Sequence, residues 1–259
     1  MLNLDDLDGV LVVALDHGKV NALDFQLLDE IATTFAGVPR HRPIVITGAG
    51  RAFSAGVDLN TIADADDSAL STLLHLLSDA FQAVFDHPGP VIAAINGPAI
   101  AGGCVLAAAC DRRIMSQGPI GLAELAVGVP FPTVALEIMR GLLGPRTADL
   151  LLTARLLDAQ QALAVGLVDE VVAPAKLLAR AAGQASLLGA IPADVFTFTK
   201  RQLQSPVRDR MPMQRADDPT MRSLWLSPAV RGAVREYSAQ LRAAADHPVT
   251  PDRRADDRS

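Results

Sequence analysis

The chain has few aromatic residues and almost no cysteine. Aromatics make up 4% of its 259 residues, while hydrophobic residues make up 50%, so the core must consist mainly of aliphatic side chains. Cys104 and Cys110 are its two cysteines, with no CxxC spacing and no histidine nearby. This excludes a disulfide framework and a zinc site, and none of the five histidines has ligand spacing. We therefore expect reduced core thiols and no metal.

Excess positive charge is also missing. The formal net charge is −6, and no cluster of basic residues interleaved with aromatics occurs, which argues against a nucleic-acid partner. The first residues have no basic segment followed by an apolar one, so we expect a cytoplasmic protein. Residues 90–110 are uncharged, but Gly97-Pro98 and Gly102-Gly103 interrupt them, which favours a strand, a turn and a helix start over a membrane span.

Short apolar runs alternate with helical patterns through most of the chain. Val10–Ala14, Pro43–Thr47 and Val91–Ile95 are typical of buried strands, and apolar residues at three- and four-residue spacing follow the first two. This order predicts an α/β domain over residues 1–190. Helices are predicted over Phe196–Leu203 and Met221–Leu241, within a helical region 191–246, and a mobile tail over 247–259.

The glycine-rich segment after the second strand is open to two other interpretations. Gly48–Phe53 resembles a dinucleotide fingerprint, but Phe53 stands where close packing needs a small residue. Ser54 stands in a sequence close to the G-x-S-x-G elbow of serine hydrolases. The only histidine after residue 87 is His247, in the predicted tail, so we expect Ser54 to be a structural hydroxyl.

Two glycine motifs give the chain a resemblance to a known family. Residues 50–59 read GRAFSAGVDL, and residues 95–104 read INGPAIAGGC. The pair resembles the crotonase superfamily of enoyl-CoA hydratases and isomerases, and the likeness continues through residues 110–114, 121–128 and 225–228. It covers nearly the whole chain in the right order, so a chance match is improbable.

The resemblance implies a fold, a substrate class and an assembly. The fold would be a crotonase-like ββα spiral core with a C-terminal helical trimerisation region, assembled as a homotrimer or a dimer of trimers. The substrate would be an acyl-CoA thioester, with no separate cofactor. The residues that the resemblance assigns to the CoA groove are Ala55, Val57, Asp58, Leu59 and Gly102, with Lys19 and Val20 at its border.

By the same resemblance, the backbone N–H groups of Val57 and Gly102 bind the thioester oxygen. Gly102 stands where a helix is predicted to begin, and free N–H groups at a helix N-terminus favour negative charge. An alternative is that Gly102-Gly103 merely allow a strand and a helix to pack closely.

Glu124 is the candidate acid/base. It lies in an otherwise apolar stretch, where a buried carboxylate is costly unless it is used or paired. The alternative is a carboxylate on an exposed loop. Hydratases of the superfamily carry a second glutamate three residues after the oxyanion glycine, and Val105 stands there.

Hydration needs two assisting groups, whereas isomerisation needs one base. The pattern is therefore similar to the Δ3,Δ2-enoyl-CoA isomerase branch, in which a single carboxylate moves the proton. Two rival hypotheses are a hydratase whose second acid comes from elsewhere and a non-catalytic acyl-CoA-binding member.

Overall fold

The computed structural model describes residues 1–214 and 218–246, so the predicted tail at 247–259 lies outside the described residues. The strands are β1 (Leu2–Leu7), β2 (Val10–Leu15), β3 (Ile44–Gly48), β4 (Val91–Ile95), β5 (Ala99–Ile100), β6 (Arg112–Met115), β7 (Ile120–Gly121), β8 (Leu156–Leu157) and β9 (Glu170–Val171). The helices are α1 (Phe25–Gly37), α2 (Leu59–Asp64), α3 (Asp67–Asp86), α4 (Gly102–Ala108), α5 (Glu124–Val127), α6 (Thr133–Leu143), α7 (Arg146–Thr153), α8 (Ala159–Val165), α9 (Leu177–Gly189), α10 (Ala193–Gln214), α11 (Asp218–Leu226) and α12 (Pro228–Asp246).

The main sheet has six strands in the order β1-β2-β3-β4-β6-β9. From β2 to β9 all neighbouring strands are parallel. Both faces are buried: Val13 and Ile46 belong to the large core that includes α1 and α3, and Val12 and Val45 pack on the side of α9. Helices on both faces explain the continuous apolar runs in the sequence and confirm the predicted α/β class.

The edge strand β1 was not predicted. It pairs antiparallel with β2, with Leu2 opposite Leu15 and Leu7 opposite Val10. Asp5 and Asp6 lie within it, and nearly all of its residues are exposed. Apolar and polar residues alternate only over Leu2–Asp5, no side chain of β1 is fully buried, and aspartate is rare in strands. Pairing with β2 therefore stabilises a strand that the sequence pattern indicates only weakly.

A second, three-stranded sheet has the order β5-β7-β8. Its strands β5 and β7 are parallel, with Ile100 opposite Gly121. The chain enters α4 after β5 and α5 after β7, and both helices begin within three residues of their strand. Since parallel strands end at the same edge of a sheet, this pairing brings the starts of α4 and α5 together.

The C-terminal helices differ in extent from the prediction. The helix predicted over 196–203 extends over the whole of α10, although this helix contains Pro206. The Gln202 carbonyl, which proline leaves without its helical donor, accepts a hydrogen bond from the Ser205 hydroxyl at 3.1 Å. The region predicted as helical over 221–241 is divided at Ser227 into α11 and α12, and Pro228 begins α12, a position that proline tolerates well.

Candidate active site

The first glycine motif forms an extended segment beside Leu23. The Leu23 N–H donates to the Gly56 carbonyl at 2.8 Å, and the Asp58 N–H donates to the Leu23 carbonyl at 3.2 Å. In this parallel bridge the N–H and C=O of the intervening residue, Val57, point away from Leu23. Gly56 has φ of +83° and lies so close to the next motif that a Cβ would be 2.7 Å from the Ile100 carbonyl oxygen. Glycine is therefore required at position 56.

The second glycine motif turns sharply into α4. Ala101 precedes the helix with φ of 52° and ψ of −122°, a conformation that an alanine adopts only under strain. Gly102 is the first residue of α4, so its N–H has no acceptor within the helix. Among the described residues, neither the Gly102 nor the Val57 N–H donates to a backbone carbonyl. Both N–H groups are thus available to a ligand.

The adjacent residues Gly102 and Gly103 differ in why a glycine stands there. A Cβ on Gly103 would lie 2.2 Å from the Ser54 carbonyl oxygen, so Gly103 serves the close packing of the two motifs. A Cβ on Gly102 would be tight only against the end of the Leu23 side chain, at 3.0 Å, with Phe81 and the Gly56 Cα in ordinary contact at 3.5 and 3.7 Å. The packing alternative is therefore correct for Gly103. For Gly102 the distinctive feature is its free N–H.

A mainly apolar cavity of about 370 Å³ lies next to these N–H groups. Its size is within the range of small-molecule sites. The walls come from both glycine motifs, from α3, α4, α5 and α6, and from α11 and α12. The lining residues are Ala55, Val57, Leu59, Ile62, Leu77, Phe81, Ile100, Ala101, Gly102, Val105, Ala123, Glu124, Val127, Val129, Pro132, Ala135, Leu156, Trp225 and Tyr237.

Glu124 lines the cavity as the first residue of α5. It is only 8% exposed, so the alternative of a carboxylate on an exposed loop is wrong. Burial raises its pKa to about 7, while hydrogen bonds from the backbone at Glu124 and Ala123 act in the opposite direction. Its Oε2 atom is buried and has no partner among the described residues. A carboxyl group with such a pKa can both accept and donate a proton near neutral pH.

Val105 also lines the cavity, one turn after Gly102 on α4. It is fully buried, and the cavity surface at this position is therefore hydrocarbon. Glu124 is the only carboxylate among the described residues that line the cavity.

The remaining predicted residues lie at different places around the motif. Ala55 and Leu59 line the cavity, whereas Lys19 and Val20 are exposed outside it. The Val20 carbonyl accepts the Ala55 N–H at 3.0 Å, which attaches this segment to the first glycine motif. Asp58 is half-buried, and its carboxylate accepts a hydrogen bond from the Thr61 hydroxyl at 3.0 Å.

Ser54 is a structural residue, as predicted. It is fully buried, and its hydroxyl donates to the Asn21 carbonyl at 2.7 Å and accepts the Gly56 N–H at 3.2 Å. The two cysteines are buried free thiols, and burial raises the pKa of Cys110 to about 12. None of these groups is set up as a nucleophile.

Several cavity residues were not predicted as site residues, among them four on α3, α11 and α12. Leu77 and Phe81 come from α3, Trp225 from α11 and Tyr237 from α12. Their spacing on the helices indicates only burial, which is the same for cavity walls and for ordinary core. For these four wall residues, the one signal in the sequence was that Trp225 is the sole tryptophan of the chain.

A comparison with known families gives the same assignment as the two glycine motifs. Residues 5–237 match the family described as enoyl-CoA hydratase/isomerase. The chain belongs to the enoyl-CoA hydratase/isomerase family. This confirms the resemblance drawn from the two motifs.

The curated relatives of this family member carry both activity names. A putative enoyl-CoA hydratase of Thermus thermophilus is 38% identical over 160 residues, which are 60% of this chain and 62% of that protein. Human mitochondrial enoyl-CoA delta isomerase 1 is 28% identical over 218 residues, which are 81% of this chain and 72% of that protein. The matches to the first three curated relatives span 57% to 66% of their lengths.

Solved structures give the same fold. Human mitochondrial Δ3-Δ2-enoyl-CoA isomerase superposes with a TM-score of 0.88 at 24% identity, covering 93% of this chain and 98% of that one. Pseudomonas aeruginosa DspI superposes with a TM-score of 0.74 at 30% identity, covering 88% and 96%. The predicted crotonase-like fold is confirmed.

Among the residues that the structure describes, no group of three or more His, Cys, Asp or Glu side chains is arranged to hold a metal ion. None of the helices in these same residues has the length and apolar character needed to cross a membrane.

Proposed function

We propose that this family member shifts a double bond in an enoyl-CoA thioester, with Glu124 as its single acid/base. The N–H groups of Val57 and Gly102 hold the thioester oxygen. The acyl group lies in the apolar cavity, and the CoA moiety follows the groove bordered by Lys19, Val20 and Asp58. The substrate brings its own CoA, so the reaction needs no separate cofactor.

The proposed reaction balances with one carboxyl group. The ionised Glu124 removes a proton from C2 of a 3-enoyl thioester, and the electron pair delocalises onto the thioester oxygen. The two backbone N–H groups stabilise the resulting dienolate. Protonated Glu124 then returns the proton to C4, the double bond lies between C2 and C3, and the carboxylate is regenerated.

The observation that carries this proposal is the combination of Glu124 and Val105 in one cavity. A buried carboxyl group with a pKa of about 7 suits a proton shuttle, because both protonation states are populated at neutral pH. Hydration would require a second group to activate water, and Val105 presents hydrocarbon at the position where hydratases of the superfamily carry it. The same cavity argues against the binding-module hypothesis, since burying a carboxyl group whose Oε2 has no partner among the described residues is costly without a use.

The family also implies an assembly, and we propose a homotrimer or a dimer of trimers. Large apolar side chains on α9 and α10 support this part of the proposal. Leu187 is 65% exposed and Phe198 is 63% exposed, and Val195 lies one turn from Phe198 on α10. Covering such side chains is a usual role of subunit interfaces.

Separate assays with 3-enoyl-CoA and 2-enoyl-CoA test the reaction. We expect the double-bond shift to be much faster than hydration, with kcat/KM rising with pH around a pKa of about 7 because the ionised form of Glu124 takes the proton. Glu124→Gln keeps the shape of the side chain and should lower kcat by at least about 10²-fold, with acyl-CoA affinity nearly unchanged. Glu236→Gln makes the same chemical change on the exposed face of α12 and is the control.

A reciprocal variant separates the isomerase from the hydratase hypothesis. Val105→Glu should raise hydration from a low baseline, whereas Val105→Gln, with similar size and no carboxylate, should not. Efficient hydration by the wild type would overturn the single-base proposal. If neither substrate reacts and Glu124→Gln has no effect, the binding-module hypothesis replaces it.

A further inference from the structure

Asn21 is a buried polar residue that lies beside the first glycine motif. It is 1% exposed and has φ of +52°, a left-handed conformation that asparagine adopts more readily than most residues. Its side-chain Nδ2 group donates to the carbonyls of Ala52 at 3.0 Å and Phe53 at 3.2 Å, and to that of Ala49 at 3.3 Å. Its Oδ1 atom accepts the His17 N–H at 2.9 Å. Both polar groups of this side chain are therefore bonded to the backbone.

The amide of Asn21 supplies a donor to buried carbonyls of the motif. Among the described residues, no backbone N–H donates to the carbonyl of Ala52 or of Phe53. A buried carbonyl without a donor is costly, so loss of the amide would drive these residues toward other partners or water. Both residues directly precede Ser54 in the chain. The amide of Asn21 thus holds the backbone that leads into the second half of the motif.

The backbone of Asn21 is linked to Gly56 as well. Its carbonyl accepts the Ser54 hydroxyl at 2.7 Å, and the Ser54 Oγ accepts the Gly56 N–H at 3.2 Å. Gly56 directly precedes Val57, whose N–H is one of the two proposed donors to the thioester oxygen. A Cβ on Gly56 would lie 3.1 Å from the Gly102 nitrogen, so the two donor segments are in contact here. Any displacement of Gly56 therefore changes the separation of the two donors.

We propose that Asn21 is a positioning residue of the oxyanion hole, which together with Ser54 holds the Val57 N–H against the thioester oxygen. This role rests on the proposed function, because it requires that the Val57 N–H binds that oxygen. Asn21 does not line the cavity, so it acts only through the backbone that it holds. Donors in an oxyanion hole must be in place before the reaction. A misplacement of about 1 Å can lower the rate about 10²-fold.

Asn21→Gly isolates the contribution of the side chain. Glycine keeps the left-handed backbone and the carbonyl that accepts the Ser54 hydroxyl. We expect kcat for 3-enoyl-CoA to fall about 10- to 100-fold, while the dissociation constant for hexanoyl-CoA changes less than about 3-fold. Steady-state kinetics and calorimetry measure the two quantities.

Gln204→Ala is the matched control for a loss of stability. It removes another buried amide, whose Nε2 group donates to the Phe85 carbonyl at 2.6 Å from α10. This variant should lower the free energy of unfolding and leave kcat unchanged. If Asn21 served only folding, Asn21→Gly would behave in the same way.

Infrared spectroscopy of bound hexanoyl-CoA, isotopically labelled at the thioester carbon, reports on the oxyanion hole without turnover. Hydrogen bonds to the carbonyl oxygen weaken the C=O bond and lower its stretching frequency. The wild type and Gln204→Ala should lower this frequency on binding. Asn21→Gly should reverse most of the change, because the Val57 N–H no longer meets the oxygen. Ser54→Ala, which breaks the link from Asn21 to Gly56, should act in the same direction and replaces Asn21→Gly if that variant does not fold.

The outcomes separate this proposal from the proposed function. A full frequency change together with unchanged kcat in Asn21→Gly or in Ser54→Ala would overturn the positioning role and leave the isomerase in place. A frequency change in the wild type without any double-bond shift would reject the isomerase, and the frequencies of the variants would still decide the positioning role. Binding of hexanoyl-CoA to the wild type with no frequency change would reject the oxyanion hole and both proposals with it.

Discussion

At the scale of single residues, Glu124 links the stability of the protein to its proposed chemistry. Burial raises its pKa from 4.5 to about 7, so the folded state favours the protonated form. Between these two pH values the folded chain holds a proton that the unfolded chain has lost. The free energy of unfolding therefore falls as the pH rises through this range.

The first prediction follows from this fall of the free energy of unfolding with rising pH. Glu124→Gln cannot ionise, so at about pH 8 its free energy of unfolding should exceed that of the wild type by about 3 kcal/mol, and at about pH 4 the gain should vanish. Urea denaturation of both proteins at the two pH values measures the difference. Glu236→Gln, on the exposed face of α12, should give no such pH-dependent gain. An equal effect of Glu124→Gln at both pH values would contradict the buried, neutral carboxyl.

The second prediction concerns the Gly102 N–H. Proline is an unsuitable probe, because Ala101 has ψ of −122°, which a residue before proline avoids. An amide-to-ester replacement at Gly102 by semisynthesis removes the donor without added bulk. Loss of one oxyanion donor should lower kcat by about 10²–10³-fold.

The same ester at Ala109 is the control for this replacement. The Ala109 N–H donates to the Val105 carbonyl at 2.9 Å at the far end of the same helix, so its loss weakens α4 without touching the site. Similar losses of kcat at both positions would mean that the Gly102 N–H has no special role.

At the scale of secondary-structure elements, α12 completes the cavity by packing on α2. Arg231 donates to the Ala65 carbonyl at 3.0 Å and to the Asp67 carboxylate at 2.8 Å, and Arg235 donates to the Ala63 carbonyl at 3.3 Å. These carbonyls lie at the C-terminal end of α2, where positive charge is favourable. The arginines thus join the last helix to the segment that follows the first glycine motif.

The third prediction compares the two partners of Arg231. Asp67 is largely exposed, so Asp67→Asn should change the free energy of unfolding by less than about 1 kcal/mol. Arg231→Ala also removes the charged donor of the partly buried Ala65 carbonyl and should cost about 1.5–3 kcal/mol. Denaturant unfolding of the two single variants and the double variant measures both effects. Equal effects of the two single variants would assign the stabilisation to the ion pair alone.

At the scale of the whole molecule, the exposed apolar side chains on α9 and α10 carry the fourth prediction. Sedimentation of the protein at micromolar concentration should give a trimer or a hexamer. Phe198→Asp should shift it toward monomers, because a charge would be buried in the interface. Leu4→Asp, on the exposed edge strand β1, introduces the same charge elsewhere and should leave the assembly intact. A monomeric wild type would contradict this prediction.

Local sequence predicted the elements that depend on local forces. Asp24 caps α1 by accepting the Leu27 N–H at 2.9 Å, and the apolar runs of β3 and β4 lie in the buried sheet. The strand β1 could not be predicted, because its stability comes from pairing with β2 and not from a buried face. Likewise, the hydroxyl of Ser205 compensates for Pro206 inside α10, which periodicity alone does not reveal.

The sequence by itself determined the family, through two glycine motifs whose backbone must approach closely, and it singled out Glu124 and Val105 as the residues on which the proposed chemistry depends. Only the tertiary structure decided what surrounds them. Burial of Glu124 depends on the pairing of β5 with β7 and on walls from α3, α11 and α12, which are distant in sequence. An amphipathic helix has the same pattern whether its apolar face meets solid core or a cavity, so the place of Trp225 in the site could be found only from the fold.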